Sequence, residues 1–414
     1  MDIKCINHTC QGESHKSTGK ECQDYSLTWQ DMERGITVAI VCDGHGGDSY
    51  FRSANGAKIA AEVTLNQVKC FLSDVDKNIF IGEPFTAIGI QENIKEDSKI
   101  NNVMRQLFLS IYSQWRIAIT EDGKRDLTDW EQKNVEKKYL DLLNDEDRIV
   151  KAYGCTLMAY ICTNDFWFAF HLGDGKMVML DADCQFSQPV PWDDKCFLNK
   201  TTSLCESEPV KDFRFCIQGD GKFPIAMFLG SDGIDDSYGD GPRLNSFYGE
   251  IVKELVSKGG DEVKELLINE LPIISKKGSQ DDMSIAIVYD DSKIVDAAVK
   301  INKYQMEQTI EDINALKQKM QKNESIISGK PNTNSFTYEE KFAELLKEFK
   351  DKIDALFNEY YYSNNLSKEN TTDAVNTKRQ MAEVRMAEKE LVRMESQMEV
   401  LLTKLHRLQE YKNE

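Results

Sequence analysis

Five consecutive residues, Asp43-Gly44-His45-Gly46-Gly47, follow the apolar run Val38–Cys42. A carboxylate at the end of a buried strand can bridge two hard cations, and the next carbonyl can add an oxygen ligand. Glycine on both sides of His45 lets the backbone approach a ligand closely. The pattern of apolar strand and acidic turn returns twice. Ile225–Leu229 leads into Ser231-Asp232-Gly233-Ile234-Asp235-Asp236, and Gln280-Asp281-Asp282 precedes the apolar run from Met283 to Tyr289. Any one of these reads equally as a polar strand-end turn. Three of them can converge at one end of a sheet sandwich, where clustered carboxylates repel unless a cation neutralises them. Ligation by oxygen alone fits Mg²⁺ or Mn²⁺ rather than zinc.

Further motifs lie between these: Cys22-Gln23-Asp24, Tyr153-Gly154-Cys155-Thr156-Leu157 and His171-Leu172-Gly173-Asp174-Gly175. In order and content the set resembles the metal-dependent protein phosphatases of the protein phosphatase 2C family. The resemblance runs from about Gly12 to Asp290. It implies two packed antiparallel sheets flanked by helices on both sides, an α-β-β-α sandwich, with a binuclear Mn²⁺/Mg²⁺ site in the cleft between them.

Carried over by position, Asp43 bridges both metals, Gly44 offers its carbonyl to one, and Asp232 and Asp281 complete the other. Asp24 acts on metal-activated water, His45 takes the place of the general acid for the leaving alcohol, and Asp236 lies near a third, weaker metal. The implied activity is hydrolysis of phosphoserine and phosphothreonine in a protein substrate. Paired divalent cations activate water and clamp phosphoryl oxygens, which suits a loose transition state that mainly needs charge neutralisation. An alkoxide leaving group needs a proton, which His can supply near neutral pH. His45 reads alternatively as a hydrogen-bonding turn residue.

The chain departs from the family's first motif. Gln23 stands where the family usually has Glu, as a neutral oxygen ligand or a group that positions water. No Arg precedes Asp24 to contact phosphate. Lys20, Lys16 or His15 can supply positive charge, although lysine cannot reproduce a bidentate guanidinium fork. The competing function is therefore a catalytically impaired pseudophosphatase that acts as a binding or scaffold module through its tail. Asp174 reads as a structural turn residue, and Cys42 and Cys155 as core thiols.

The elements that must position these residues belong to the front of the chain. Strand patterns cover Ile36–Cys42, Thr156–Cys162, Phe166–Leu172, Met177–Leu180, Ile225–Leu229 and Met283–Tyr289. Helical periodicity covers Ser53–Val68, Val103–Ile119, Asp129–Leu143 and Asn245–Leu267. The turn-rich stretch Asp183–Lys222 reads as a surface flap. Locally paired strands with grouped helices indicate an α+β fold rather than a doubly wound sheet.

Charge divides the chain in two. Of its 414 residues, 51 are basic and 70 acidic, a formal charge of −19. Residues 293–414 hold 20 basic and 21 acidic side chains, so a charge of −18 sits on residues 1–292. The expected domains are thus a phosphatase domain over 1–292 and an all-α appendage over 293–414. Apolar stripes run through Val295–Gln321 and Thr337–Tyr362. The last forms a seam of Leu391, Met394, Met398, Leu401, Leu405 and Leu408 with three- and four-residue steps. That spacing fits a short coiled coil or a helical bundle, serving self-association or an unknown protein partner. The acidity argues against nucleic acid as a partner. No apolar run spans a bilayer and the amino terminus has no secretory pattern. Eleven cysteines without a C-x-x-C pair indicate free thiols. The expected location is the cytoplasm.

Overall fold

The computed structural model describes residues 1–89, 99–197, 200–239 and 241–328, with scattered positions beyond 392. Two sheets, both antiparallel, form the centre. The strands are β1 (Ile3–Cys10), β2 (Tyr25–Asp31), β3 (Ile36–Cys42), β4 (Gly82–Ile88), β5 (Leu157–Cys162), β6 (Trp167–Leu172), β7 (Lys176–Leu180), β8 (Phe186–Ser187), β9 (Arg214–Gly219), β10 (Ala226–Gly230) and β11 (Met283–Asp290). One sheet has the order β1-β11-β10-β7-β8 and the other β2-β3-β5-β6-β9-β4.

Every residue of β3 is buried, because both faces of the strand are covered. Ala39 and Val41 face the other sheet, joining Met158 and Tyr160 and the first sheet's Met227, Leu229, Ala286 and Val288 in one inter-sheet core. The alternate residues Ile36, Val38, Ile40 and Cys42 face helices α2 (Ser53–Asp74) and α3 (Lys99–Asp122). Period-two alternation thus serves two cores at once. Small residues of α2, Ala57, Ala60 and Ala61, let it lie close to the sheet, while Phe108, Ile111 and Trp115 of α3 fill the remaining depth.

Short helices α1 (Glu13–Thr18), α4 (Asp129–Asn134), α5 (Lys137–Leu140) and α6 (Ile149–Ala152) belong to connections. On the far side lie α7 (Asp232–Tyr238), α8 (Gly241–Lys258) and α9 (Gly260–Lys277). There Tyr248 of α8 stacks on Phe228 of β10 with ring centroids 4.4 Å apart. The layers are helix, sheet, sheet, helix, as expected from the sequence.

Three expectations change in detail. The helix expected over Asp129–Leu143 is two short helices and a 3-10 turn, because the chain leaves helical geometry at Val135 and restarts after Glu136. The one expected over Asn245–Leu267 is two helices, divided where Gly259 takes a φ of +86°. The stretch Asp183–Lys222 includes an interior strand, β9, flanked by β6 and β4.

The chain separates into two compact units, Met1–Ile301 and Asn302–Glu414. Helix α10 (Ile294–Ser328) begins in the first and continues into the second. The expected stripe over Thr337–Tyr362 and the Leu391–Leu408 seam lie outside the described residues. Among those described, no helix is long and apolar enough to cross a membrane. All eleven cysteines are free.

Candidate active site

The acidic residues sit where strands end. Asp43 follows β3, Asp232 opens α7 directly after β10, and Asp281 and Asp282 precede β11. The central position of β3, β10 and β11 in their sheets brings these ends to one edge of the sandwich. The glycine loop is fixed to the segment just before β5 by two bonds, Thr156 N–H to the Asp43 carbonyl (2.8 Å) and His45 N–H to the Gly154 carbonyl (3.1 Å). Thr156 also accepts the Asp43 N–H on its hydroxyl, at 3.0 Å. A Cβ on Gly44 would stand 2.5 Å from the Gln23 carbonyl oxygen and 2.9 Å from that of Ser53. Only glycine fits there, between the β1–β2 connection and the start of α2.

Asp43 and Asp232 are in side-chain hydrogen-bonding contact. Burial, then the charges of Asp232 and Asp24, raises Asp43 well above the usual carboxylate range. Burial likewise raises Asp232 to about 7. Asp24, buried at 6% exposure, is raised by burial and by the neighbouring Asp282, and its Oδ2 has no hydrogen-bond partner. The Gln23 Oε1 is likewise buried without a partner. Three carboxyls that hold protons above their ordinary range, in an all-oxygen setting with two orphaned acceptors, fit hard divalent cations. Asp281 is exposed, and its charge adds to the raising of Asp24, Asp43 and Asp232; among the described residues no three His, Cys, Asp or Glu side chains form a finished metal cage. Asp236 is exposed on α7, raised first by burial and then by Asp235 and Asp174.

His45 packs edge-on against Tyr50, ring centroids 4.7 Å apart. Burial, with Lys151 adding to it, lowers its pKa to about 4, so the free protein holds a neutral imidazole. Lys151 bonds the Tyr50 hydroxyl and lies over its ring, 4.1 Å from the centroid. A cavity of about 640 Å³ opens beside His45, with Lys195 and Lys200 on its wall.

The three basic candidates near the first motif part company. Lys20 Nζ donates to the Gly46 carbonyl at 2.9 Å, which places its charge on the glycine loop. Lys16 is exposed on α1. His15 turns inward: its Nδ1 lies 2.9 Å from the Asp282 carboxylate, in a nearly buried pair. That commits the ring to Asp282 rather than to a phosphate.

Asp282 is the residue that sequence reasoning passed over. Its carboxylate also accepts the Gly12 and Gln23 N–H groups, both at 2.6 Å. Burial alone would raise its pKa, but the His15 bond and these two amides outweigh it and hold the acid below its ordinary value. The Gln23-Asp24 motif is thereby pinned to the start of β11. Arg52 was missed as well. Its side chain is fully buried, bonded to Glu131 (2.6 Å), Tyr153 (2.9 Å) and the Asp122 carbonyl (3.2 Å). An arginine just before an apolar helix with a carboxylate far downstream gives no local signal of pairing.

The family model for protein phosphatase 2C matches residues 11–269, more than half of the chain. The chain belongs to that family. Among solved structures it is similar to the serine/threonine phosphatase of S. agalactiae, at 16% identity over 70% of this chain and 100% of the other, with a TM-score of 0.41. It is similar to the catalytic domain of the serine/threonine protein phosphatase PstP in complex with two manganese ions, at 14% identity over 69% and 97%, TM-score 0.39. PppA of Pseudomonas aeruginosa, a regulatory component of T6SS, shares 12% identity over 70% and 98%, TM-score 0.40. No curated protein matches the chain in sequence. The phosphatase 2C fold accounts for the meeting of the motifs at one sheet edge.

Proposed function

We propose that this chain is a metal-dependent phosphoserine/phosphothreonine phosphatase. The observation that carries the reading is the meeting of Asp24, Asp43 and Asp232 at one sheet edge, with pKa values raised by burial and mutual repulsion. Asp43, the Gly44 carbonyl, Asp232 and Asp281 would hold two Mn²⁺ or Mg²⁺ ions, with Asp236 near a third. When bound, these ions supply water activation and charge neutralisation at the phosphoryl oxygens.

The chain's own residues do the rest. Asp24 is placed to hold or take a proton from water. Lys20 keeps positive charge on the glycine loop in place of the absent upstream Arg. His45 is neutral before substrate arrives. A phosphate dianion beside it favours the imidazolium, opposite in sense to burial and Lys151. It can then protonate the leaving serine or threonine oxygen. The substrate is a phosphorylated protein.

Gln23 in place of Glu and the absence of an Arg before Asp24 are what favour the second reading, an impaired phosphatase that serves as a binding module. Turnover of p-nitrophenyl phosphate and a phosphothreonine peptide at millimolar Mn²⁺ decides between them. Hydrolysis that disappears with chelator is expected. A folded sample that hydrolyses neither substrate above buffer overturns the enzyme.

A further inference from the structure

A second cavity, about 560 Å³, opens on the other side of the glycine loop. Gly46 and Gly47 lie on its wall, as they do on that of the cavity beside His45, so the two cavities share this loop. Its outer wall comes from the segment that carries α4 and α5, with Trp130 and Tyr139 facing the space. Trp130 is 42% exposed, unusual for so large an apolar side chain.

The charges lining this cavity are unequal in their commitments. Arg125 is taken up by Glu131 and Asp122, at 3.1 and 3.3 Å. Lys20 is turned to the Gly46 carbonyl. Glu136 pairs with Lys138 at 2.8 Å. Glu21 and Asp48 line the cavity and form no ion pair among the described residues. The buried Gln23, 7% exposed, also lines it, and its Oε1 has no hydrogen-bond partner. Two carboxylates outside any ion pair, Asp48 and Glu21 (the latter felt only at longer range by Arg125), and an aromatic wall make a complementary seat for a planar cation. An arginine can stack on Trp130 or Tyr139 while its donors reach Glu21 and Asp48.

We infer that this cavity binds an arginine side chain of the phosphorylated substrate, close in sequence to the phosphoserine or phosphothreonine. The chain is thus selective for basic phosphopeptides. This rests on the function proposed above and names its substrate class. The charge of −18 on residues 1–292 acts in the same direction at long range by drawing basic segments in.

The test is binding, with turnover as a separate arm. Fluorescence anisotropy on the full chain with Mn²⁺ compares peptides bearing a non-hydrolysable phosphonate analogue of phosphothreonine, with arginine at successive flanking positions, with their alanine counterparts. At least one arginine position should tighten binding about tenfold at low salt, combining an ion pair with stacking. The double variant Glu21→Gln/Asp48→Asn should lose that preference, and Trp130→Ala should weaken it. All three substitutions are at exposed side chains and should leave p-nitrophenyl phosphate turnover unchanged. Equal affinities for arginine and alanine peptides, or a preference that survives the double variant, overturn the inference. Failure to hydrolyse p-nitrophenyl phosphate instead counts against the enzyme, and the anisotropy still reads the cavity.

Discussion

His15 and Asp282 lie 2.9 Å apart although 267 residues separate them, and their contact closes the amino-terminal segment onto the last strand of its sheet. The Asp282 bond raises His15 above its ordinary pKa against the opposing effect of burial. Asp282 is held below its own. For the acid, the stabilisation is present above the ordinary carboxylate pKa and is lost as pH falls through the lowered folded value. For the base, it is present below the ordinary imidazole pKa and is lost as pH rises through the raised folded value. The pair's own contribution, read as the difference between wild-type and His15→Ala urea melts from pH 3 to 9, should therefore show a plateau between these limits, with a fall on each side. His15→Ala should remove this pair's share of the alkaline fall, leaving that of the site carboxyls, and cost about 1–3 kcal/mol at pH 6, because Asp282 loses a charged partner. An unchanged pH profile in that variant would show that the pair contributes nothing.

The Asp43–Asp232 contact has the opposite sign. A carboxyl whose folded pKa is raised loses stability as pH rises from its ordinary value through the raised one. Metal-free protein should thus be less stable at pH 8 than at pH 5.5, and Asp43→Asn should reduce that difference. Adding Mn²⁺ should stabilise the wild-type protein by about 2.7 kcal/mol at a hundredfold excess over Kd. It should leave Asp43→Asn unmoved, and that variant should hydrolyse nothing. Calorimetric melting with and without Mn²⁺ reads the effect; an equal Mn²⁺ response in both proteins would exclude Asp43 as a ligand.

These two contacts mark how far the sequence could be read. The strand-end positions of Asp43, Asp232 and Asp281 were legible because an apolar run with an acidic end is a local pattern. Asp281 and Asp282 are neighbours with the same chemistry, so only the fold shows which is buried and which is open. Strand β3 was legible from its unbroken apolar run. Strand β1, Ile-Lys-Cys-Ile-Asn-His-Thr-Cys, was not, because its polar residues find partners only across the fold, as when Asn7 bonds the Ser26 carbonyl at 3.0 Å and its hydroxyl at 3.1 Å. The break at Gly259 was concealed by apolar periodicity that continues through it.

Arg52 offers the sharpest stability test. Its guanidinium is fully buried and bonded to Glu131, which also accepts from Arg125 and caps α4 through Thr128. Removing one partner of a buried pair leaves an uncompensated charge, at about 3–5 kcal/mol. Glu131→Gln should cost that much by urea denaturation at pH 7. Burial alone would raise the pKa of Glu131, but its bonds from Arg52, Thr128 and Arg125 hold it below the ordinary value. The variant's deficit should therefore shrink as pH falls through that lowered value. A loss under 1 kcal/mol would mean that the network is slack.

His45→Ala separates the acid from the structural reading. A p-nitrophenolate leaving group needs little protonation and a serine alkoxide needs much. The variant should lose about 10²–10⁴-fold in kcat on phosphopeptide and far less on p-nitrophenyl phosphate. Equal losses on both would reduce His45 to a loop residue packed on Tyr50.

The final expectation concerns where the catalytic unit ends. Charge and motif order placed the division at residue 292, just after β11. The first compact unit instead runs to Ile301, and it includes the opening turns of α10. Ile294, Ala297, Ala298 and Ile301 there are buried, with exposures from 0 to 4%. Burying one large aliphatic side chain is worth about 1.5–3 kcal/mol, so a chain ending at Asp291 forfeits two isoleucines and two alanines. We expect a chain ending at Ile301 to fold and to keep Mn²⁺-dependent hydrolysis of p-nitrophenyl phosphate, since every proposed ligand lies before it. One ending at Asp291 should melt several kcal/mol lower or fail to stay soluble. Urea denaturation and turnover of the two shortened chains check this directly. Equal stability would put the boundary at 292 and make the first turns of α10 dispensable; loss of folding at Ile301 would show that the catalytic unit needs residues beyond it.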